Sequence, residues 1–266
     1  MLNKTIFLLT LGLTLSTNFL QTALTATAVT PQITAQQPQF APRRRALLRF
    51  KVPDVRGSRN LEPGAARGQC SPEGISAVVP PKPATMRARE IPVELTLSDR
   101  PKFFVHVSPT TAKTALFLLR NEAGDILLEK TLNLPPASNG IISYTLPTDF
   151  VGLQVDETYR WRFTLLCDPT GGDRSGDPVA SGVIKRVAPS PEVAQQLQSA
   201  TDKQRVIIYA DNGYWHNTLQ TLAELRAENP NDMTLRRDWE ELFKSVGLNE
   251  LTNKPLIPLA EIPTSN

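Results

Sequence analysis

The residues that most often carry chemistry are scarce in this sequence. It has two cysteines and two histidines in 266 residues. So few cysteines exclude a scaffold held together by dense disulfides, and their wide separation excludes a C-x-x-C redox pair. No cysteine or histidine has a partner at the close spacing usual for zinc ligands. No metal and no cofactor are therefore expected. No G-x-S-x-G elbow is present, and only His106 and His216 offer an imidazole base. A catalytic triad needs a nucleophile, a base and an orienting group in contact, and no motif here assembles one. No stretch approaches the roughly 20 apolar residues of a spanning helix. The net charge of +3 is too small to favour a class of partner.

What is present begins with an export signal. Lys4 supplies a positive start, residues 6–15 are a short apolar run, and Ala26-Thr27-Ala28 places small residues around a cleavage point. The run suits a removable signal better than an uncleaved anchor, and no lipobox cysteine follows it. Residues 1–28 are therefore read as a signal peptide, and the mature chain is expected in the periplasm or outside the cell. In such an oxidising compartment an isolated cysteine pair most often joins, so a Cys70–Cys167 disulfide is expected. Two free buried thiols are the alternative.

Composition and periodicity divide the rest. Residues 29–69 read as a flexible lead. It starts rich in Thr, Pro and Gln and continues with Arg43, Arg44, Arg45, Arg49, Lys51, Arg56, Arg59 and Arg67. Residues 70–188 read as a β domain. The clearest strand is 158–168, with Tyr159, Trp161, Phe163, Leu165 and Cys167 on one face and Arg160, Arg162 and Thr164 on the other. Further strands are expected at 102–107, 115–119, 125–132, 140–146 and 179–187, the second and third joined by a turn at Asn121-Glu122-Ala123-Gly124. Short strands without intervening helices point to an immunoglobulin-like antiparallel β-sandwich. Residues 189–250 read as a small helical domain. Ser190 and Pro191 start its first helix, and Gly247 ends its last. Residues 251–266 read as an extended tail. The fold class is thus mainly β with α.

Five stretches together carry a family resemblance. They are Arg56-Gly57-Ser58-Arg59 with Gly68-Gln69-Cys70; Phe103-Phe104-Val105-His106-Val107; and Glu122-Ala123-Gly124-Asp125. Tyr159-Arg160-Trp161-Arg162-Phe163 with Cys167-Asp168 follows, then Tyr209-Ala210 with Gly213, Trp215 and Leu219. In this order and spacing the chain, over roughly residues 56–250, resembles the cyanobacterial family called domain of unknown function 928. The resemblance brings no assigned activity. It implies export in cells whose envelope has an outer membrane, and a role in envelope signalling or adaptor work. The chain departs from the family pattern at His216, Asn217 and Val183.

The functional expectation is a non-catalytic envelope module that binds an envelope protein or a surface polymer. Its candidate partner surface comprises Arg43, Arg44, Arg45 and Arg49 in the lead with Tyr214, Trp215 and His216 at the helical end. The basic lead also suits peripheral contact with an anionic membrane surface. Nucleic acid is not expected, because aromatics do not interleave those basic residues. The loop at Asp168, Asp173 and Asp177 lacks the alternating acids and closing Glu of a calcium loop, and reads as a solvated hairpin loop. The rival is a hydrolase acting on wall or surface glycans, which would need two carboxyls facing each other across a cleft.

Overall fold

Consecutive apolar residues in a strand point to opposite faces, and the pairs Phe103-Phe104 and Ile141-Ile142 organise the whole molecule. The computed structural model describes residues 47–57, 69–88, 90–136, 138–171 and 173–259. The strands are β1 (Arg56–Gly57), β2 (Ile75–Ala77), β3 (Ile91–Pro92), β4 (Glu94–Thr96), β5 (Lys102–Val107) and β6 (Thr114–Asn121). They continue with β7 (Ile126–Asn133), β8 (Gly140–Thr145), β9 (Thr158–Leu166), β10 (Val179–Arg186) and β11 (Leu256–Pro258). The helices are α1 (Pro191–Ser199), α2 (Asp202–Asp211), α3 (Trp215–Glu228) and α4 (Met233–Ser245). The molecule is mainly β with α, as its periodicity indicates.

The strands form a five-stranded sheet in the order β4-β10-β9-β6-β7, a four-stranded sheet β11-β8-β5-β2, and a ribbon of β1 with β3. One core unites the inner residues of both larger sheets. Phe103, Val105, Ile142 and Tyr144 from one meet Phe117, Leu119, Trp161 and Phe163 from the other. The alternation read in β9 is observed, with Tyr159, Trp161, Phe163 and Leu165 buried. The sheets are mixed, which corrects the all-antiparallel expectation. β4 runs parallel to β10, and β11 runs parallel to β8. Hairpins enforce antiparallel pairing only between strands joined by short turns. These two edges are instead filled by segments distant in sequence.

The helices are a third layer rather than a separate domain. Phe104 and Ile141 face away from the first core and join Trp215, Leu219, Trp239 and Phe243 in a second. The four-stranded sheet is thereby covered on both faces. Asn217 fixes α3 to the strands, its Oδ1 accepting from Leu97 N–H at 2.8 Å and from the Thr96 hydroxyl at 3.1 Å. Local signals set the helix ends. Ser190 Oγ accepts from Val193 N–H, Thr201 and Gln204 form a capping box, and Asp232 caps α4. Gly213 adopts φ +76° after α2, where a Cβ would meet the Lys51 carbonyl at 3.1 Å. All the described residues belong to one compact unit, and none of their helices is long and apolar enough to cross a membrane.

Residues 47–57 of the expected lead are built into this unit, a second correction. Leu48 and Phe50 are buried among the helices, and the ring of Phe50 meets Trp215 edge-on at 4.9 Å. The Leu48 N–H donates to Glu241 Oε2, the Phe50 N–H to Ser245 Oγ and the Lys51 N–H to the Ala210 carbonyl. Three alternating residues give too short a period to read against a Pro- and Arg-rich background. The expected extended tail likewise supplies β11. The expected signal segment, residues 1–28, lies outside the described residues.

The expected disulfide is present. Cys70, just before β2, joins Cys167, just after β9, with Cα atoms 5.2 Å apart and a sequence separation of 97. The Cys70 carbonyl also accepts from the Thr110 hydroxyl at 2.7 Å. Closing a loop of about 100 residues restrains the unfolded chain by roughly 4–5 kcal/mol in the chain-entropy account. Replacing both residues, Cys70→Ser with Cys167→Ser, is expected to lower the unfolding free energy by about 2–5 kcal/mol in urea titration. Reductant should then shift the wild-type midpoint and leave the variant's unchanged.

Candidate functional site

The aromatic half of the expected partner surface is interior. Tyr214, Trp215 and His216 are 7%, 1% and 2% exposed. Helical spacing puts Trp215, Leu219 and Leu222 on the face of α3 that meets the sheet. Trp215 Nε1–H donates to the Val78 carbonyl at 2.8 Å. His216 lies edge-on to Phe103, and its Nδ1 is 3.1 Å from the Lys102 carbonyl. A carbonyl only accepts, so His216 Nδ1 carries a proton. Burial pushes its pKa down to about 4, against the pull of that hydrogen bond. The three residues hold the helices to the sheets and present no surface. Of the basic half, Arg49 is exposed, and Arg43, Arg44 and Arg45 lie outside the described residues.

The acidic loop uses its carboxylates internally. Asp168 accepts from the Thr170 N–H and hydroxyl, Asp173 from the Ser175 N–H, and Asp177 from the Cys167 N–H. The bonds of Asp168 and Asp173 are local and turn-forming, and that of Asp177 closes the loop across ten residues.

A different basic surface appears on the outer face of the five-stranded sheet. Arg120 on β6 is the direct cross-strand partner of Arg160 on β9. Arg162 follows two residues along the same face, exposed. Arg120 Nη1 donates to the Gly124 carbonyl at 2.7 Å and Arg160 Nη2 to the Glu122 carbonyl at 3.1 Å, both in the β6–β7 turn. Among the described residues no carboxylate forms an ion pair with any of the three. Like charges directly opposite destabilise a sheet unless a counter-charge answers them. Sequence alternation already turned Arg160 and Arg162 outward. It could not show Arg120 beside them, because that pairing joins residues 40 apart.

The second candidate is a cavity of about 340 Å³ at the edge of β10. β4 covers β10 only from Ile184 onward. Beyond that point the wall is Ser181, Gly182 and Val183, closed by Val79-Pro80-Pro81-Lys82 and by Glu90 to Pro92 and Glu94. Glu94 is 6% exposed, and its Oε2 is buried without a hydrogen-bond partner among the described residues. Burial raises its pKa from the ordinary 4.5 to about 8. Its own backbone N–H, the Trp161 indole N–H and the Val183 N–H oppose that rise. The indole N–H falls short of hydrogen-bond geometry and is itself unpartnered. Gly182 admits this arrangement, since a Cβ there would meet Trp161 Nε1 at 2.7 Å.

Glu90 lines the same cavity with the opposite character. Its two oxygens lie 3.0 and 3.1 Å from Arg56 Nη1, and Oε2 also accepts from the Arg87 N–H at 2.8 Å. That backbone bond and the Arg56 guanidinium hold its pKa below the usual range. The cavity thus has one answered carboxylate and one unanswered acid. The sequence reading missed Glu94. A strand pattern turning a Glu inward at 94 between Val93 and Leu95 was the available signal.

The profile of a family described as Domain of Unknown Function (DUF928) matches residues 57–256, three quarters of the chain. No curated protein matches it.

Two of the buried titratable groups, Glu94 and His216, predict opposed pH effects. Glu94 binds its proton more tightly folded than unfolded, so its contribution falls as pH rises from about 4.5 toward 8. His216 binds its proton less tightly folded, so its contribution falls as pH drops from 6.5 toward about 4. Between roughly 4.5 and 6.5 the two slopes cancel, and above 6.5 Glu94 acts alone. At about 1.4 kcal/mol per pH unit, Glu94→Gln is expected to gain about 2 kcal/mol over wild type between pH 6.5 and 8. Urea titrations at both pH values check this, and parallel stability curves would refute it.

Proposed function

Because this chain belongs to the DUF928 family, a name that assigns no chemistry, we propose its role from the molecule itself. It is an exported, non-catalytic module of the cell envelope that binds an anionic partner. That partner is an acidic envelope protein or surface polymer, and the cell is cyanobacterial with an outer membrane. One observation carries the reading: the row of Arg120, Arg160 and Arg162 on a sheet face, without a carboxylate paired to it among the described residues. Arginine forks suit carboxylates and phosphates, and a rigid sheet fixes their spacing. The Cys70–Cys167 bridge supports export to the periplasm or beyond, since such bonds persist in oxidising compartments. An immunoglobulin-like sandwich draws support from two facing sheets, a buried Trp161 and a bridge between distant strand ends.

An envelope hydrolase is the second reading, and a specific observation favours it. Glu90 and Glu94 wall one cavity and their proton affinities are pushed apart, as an acid–base pair requires. Against it, both oxygens of Glu90 are already engaged by Arg56 and the Arg87 N–H.

Alginate, an acidic polysaccharide, serves as the probe. Wild-type protein is expected to bind it in a salt-sensitive way. The triple variant Arg120→Gln, Arg160→Gln, Arg162→Gln should bind at least about fivefold more weakly, at a few tenths of a kcal/mol per exposed contact. Equal binding by the two proteins would defeat the arginine reading. Release of reducing ends from wall glycans by wild type, abolished in Glu94→Gln, would establish the hydrolase instead.

A further inference from the structure

An edge strand leaves every second backbone N–H and C=O group without a ladder partner. Among the described residues β7 is the longest such edge. It ends the five-stranded sheet over eight residues and pairs with β6 alone. The strands at the other ends of the two larger sheets, β2, β4 and β11, have three residues each. β7 contains no proline, and five of its residues, Ile126, Leu127, Glu129, Thr131 and Asn133, are exposed. Beside it lies a groove of about 500 Å³ with an apolar wall of Leu127, Leu128, Phe150, Val151 and the ring of Tyr159. Val151 is 78% exposed and Leu127 40%. Apolar side chains held at a surface next to unpaired backbone mark a place of association.

We propose that β7 accepts an extended segment of a partner polypeptide as a sixth strand of this sheet. One face of the segment places aliphatic side chains in the groove, and the other places a basic side chain opposite Glu129. In such strand addition the backbone bonds supply affinity and the pockets for alternate side chains supply specificity. The two faces are fixed by the pairing with β6. Leu128, Lys130 and Leu132 stand opposite the core residues Leu119, Phe117 and Ala115, and Glu129 and Thr131 stand opposite Leu118 and Leu116. On the groove side Lys130 and Asp149 answer each other at 3.8 Å, so the groove calls for uncharged side chains. On the other side Glu129 is exposed and forms no ion pair among the described residues. An opposite charge directly across a strand pair stabilises it.

Charge and area decide against a second copy of the chain as the occupant. In an antiparallel pair of identical strands the two-fold axis stands normal to the sheet, so each face stays on its own side. Within residues 128–133, odd-numbered positions then oppose only odd-numbered ones. Glu129 would meet Glu129, Thr131 or Asn133 of the copy, and never a base. The edge is roughly 27 Å long and one sheet thick, on the order of 300 Å² for each partner. A stable interface buries roughly 800 Å² for each partner. The site therefore suits a short segment, bound and released. The proposal stands apart from the arginine row, which lies on β6 and β9.

The test titrates the acetylated, amidated heptapeptide Thr-Val-Lys-Val-Thr-Val-Thr into the full chain. Its valines share one face, and its lysine and threonines the other. Binding is read by calorimetry, and its place by amide hydrogen exchange. Alternate amides of β7 should exchange more slowly on saturation. A peptide with Glu in place of Lys should bind about threefold more weakly, and Glu129→Gln should erase that difference. Val151→Asp, at an exposed site, should weaken both peptides about tenfold by placing a charge at the groove. N-methylation of the valines, or of the residues between them, gives two further peptides. One of the two should fail to bind wild type and the other should bind, because only alternate N–H groups face β7. These peptide comparisons use wild type and stand even if a variant folds poorly. Absence of binding, slowed exchange away from β7, equal affinity for the Lys and Glu peptides, or tolerance of both methylated peptides would each overturn the proposal. So would sedimentation showing a dimer whose β7 amides become protected as concentration rises, which would make a second copy the occupant.

Discussion

The architecture depends on one sheet being apolar on both sides. In β5 and β8 the usual alternation is replaced by adjacent large residues, Phe103 with Phe104 and Ile141 with Ile142. Each pair sends one side chain into the core between the sheets and the other toward the helices. A sheet apolar on one face is content with one covering layer; this one requires two. That requirement draws α2, α3 and α4 onto the sheet. It also draws in Leu48 and Phe50 from the segment before β1.

The remaining features answer the edges that such a stack leaves. Sheet edges expose unpaired backbone groups and invite association. β4 closes part of one edge of the five-stranded sheet, and β11 closes one edge of the four-stranded sheet. β2 forms the opposite edge, and the bridge from Cys70 to Cys167 lies beside it. Where β4 stops short, the β10 segment Ser181–Val183 pairs with β9 on one side and borders the cavity on the other. The cavity is therefore a by-product of the short pairing of β4 along β10.

Local periodicity made the element types legible, and long-range pairing decided the rest. Strand β9 was readable because large apolar residues alternate with Arg160, Arg162 and Thr164 over nine positions. The caps at Ser190 and the stop at Gly247 were readable because they act within one turn. The disulfide was readable from compartment and count, there being no other cysteine to pair. Parallel edges were not, since neither β4 nor β11 carries a mark of its partner in three residues. Tyr214, Trp215 and His216 suggested a surface because aromatics next to a helix start serve core and contact alike. Only the second apolar face of the sheet makes them core. Glu94 left only the pattern of a three-residue strand as a signal, because its burial is imposed by β10 and Trp161, more than 60 residues away.

The placement of charge then separates two kinds of site. The unanswered bases, Arg120, Arg160 and Arg162, stand on a sheet face, while the unanswered acid, Glu94, is sealed at an edge. Arg120 and Arg160 are half-buried and directly opposite each other, and their bonds to turn carbonyls hold them in place without a counter-charge. A sealed carboxyl is held toward its protonated form. The first arrangement favours a broad, salt-sensitive contact. A net charge of +3 conceals this division. Glu129 on β7 shares the outer face of the five-stranded sheet through its pairing with Leu118, which also pairs with Arg162, so three arginines stand there with one acid, while Glu94 on the edge strand β4 is turned inward beside Ile184.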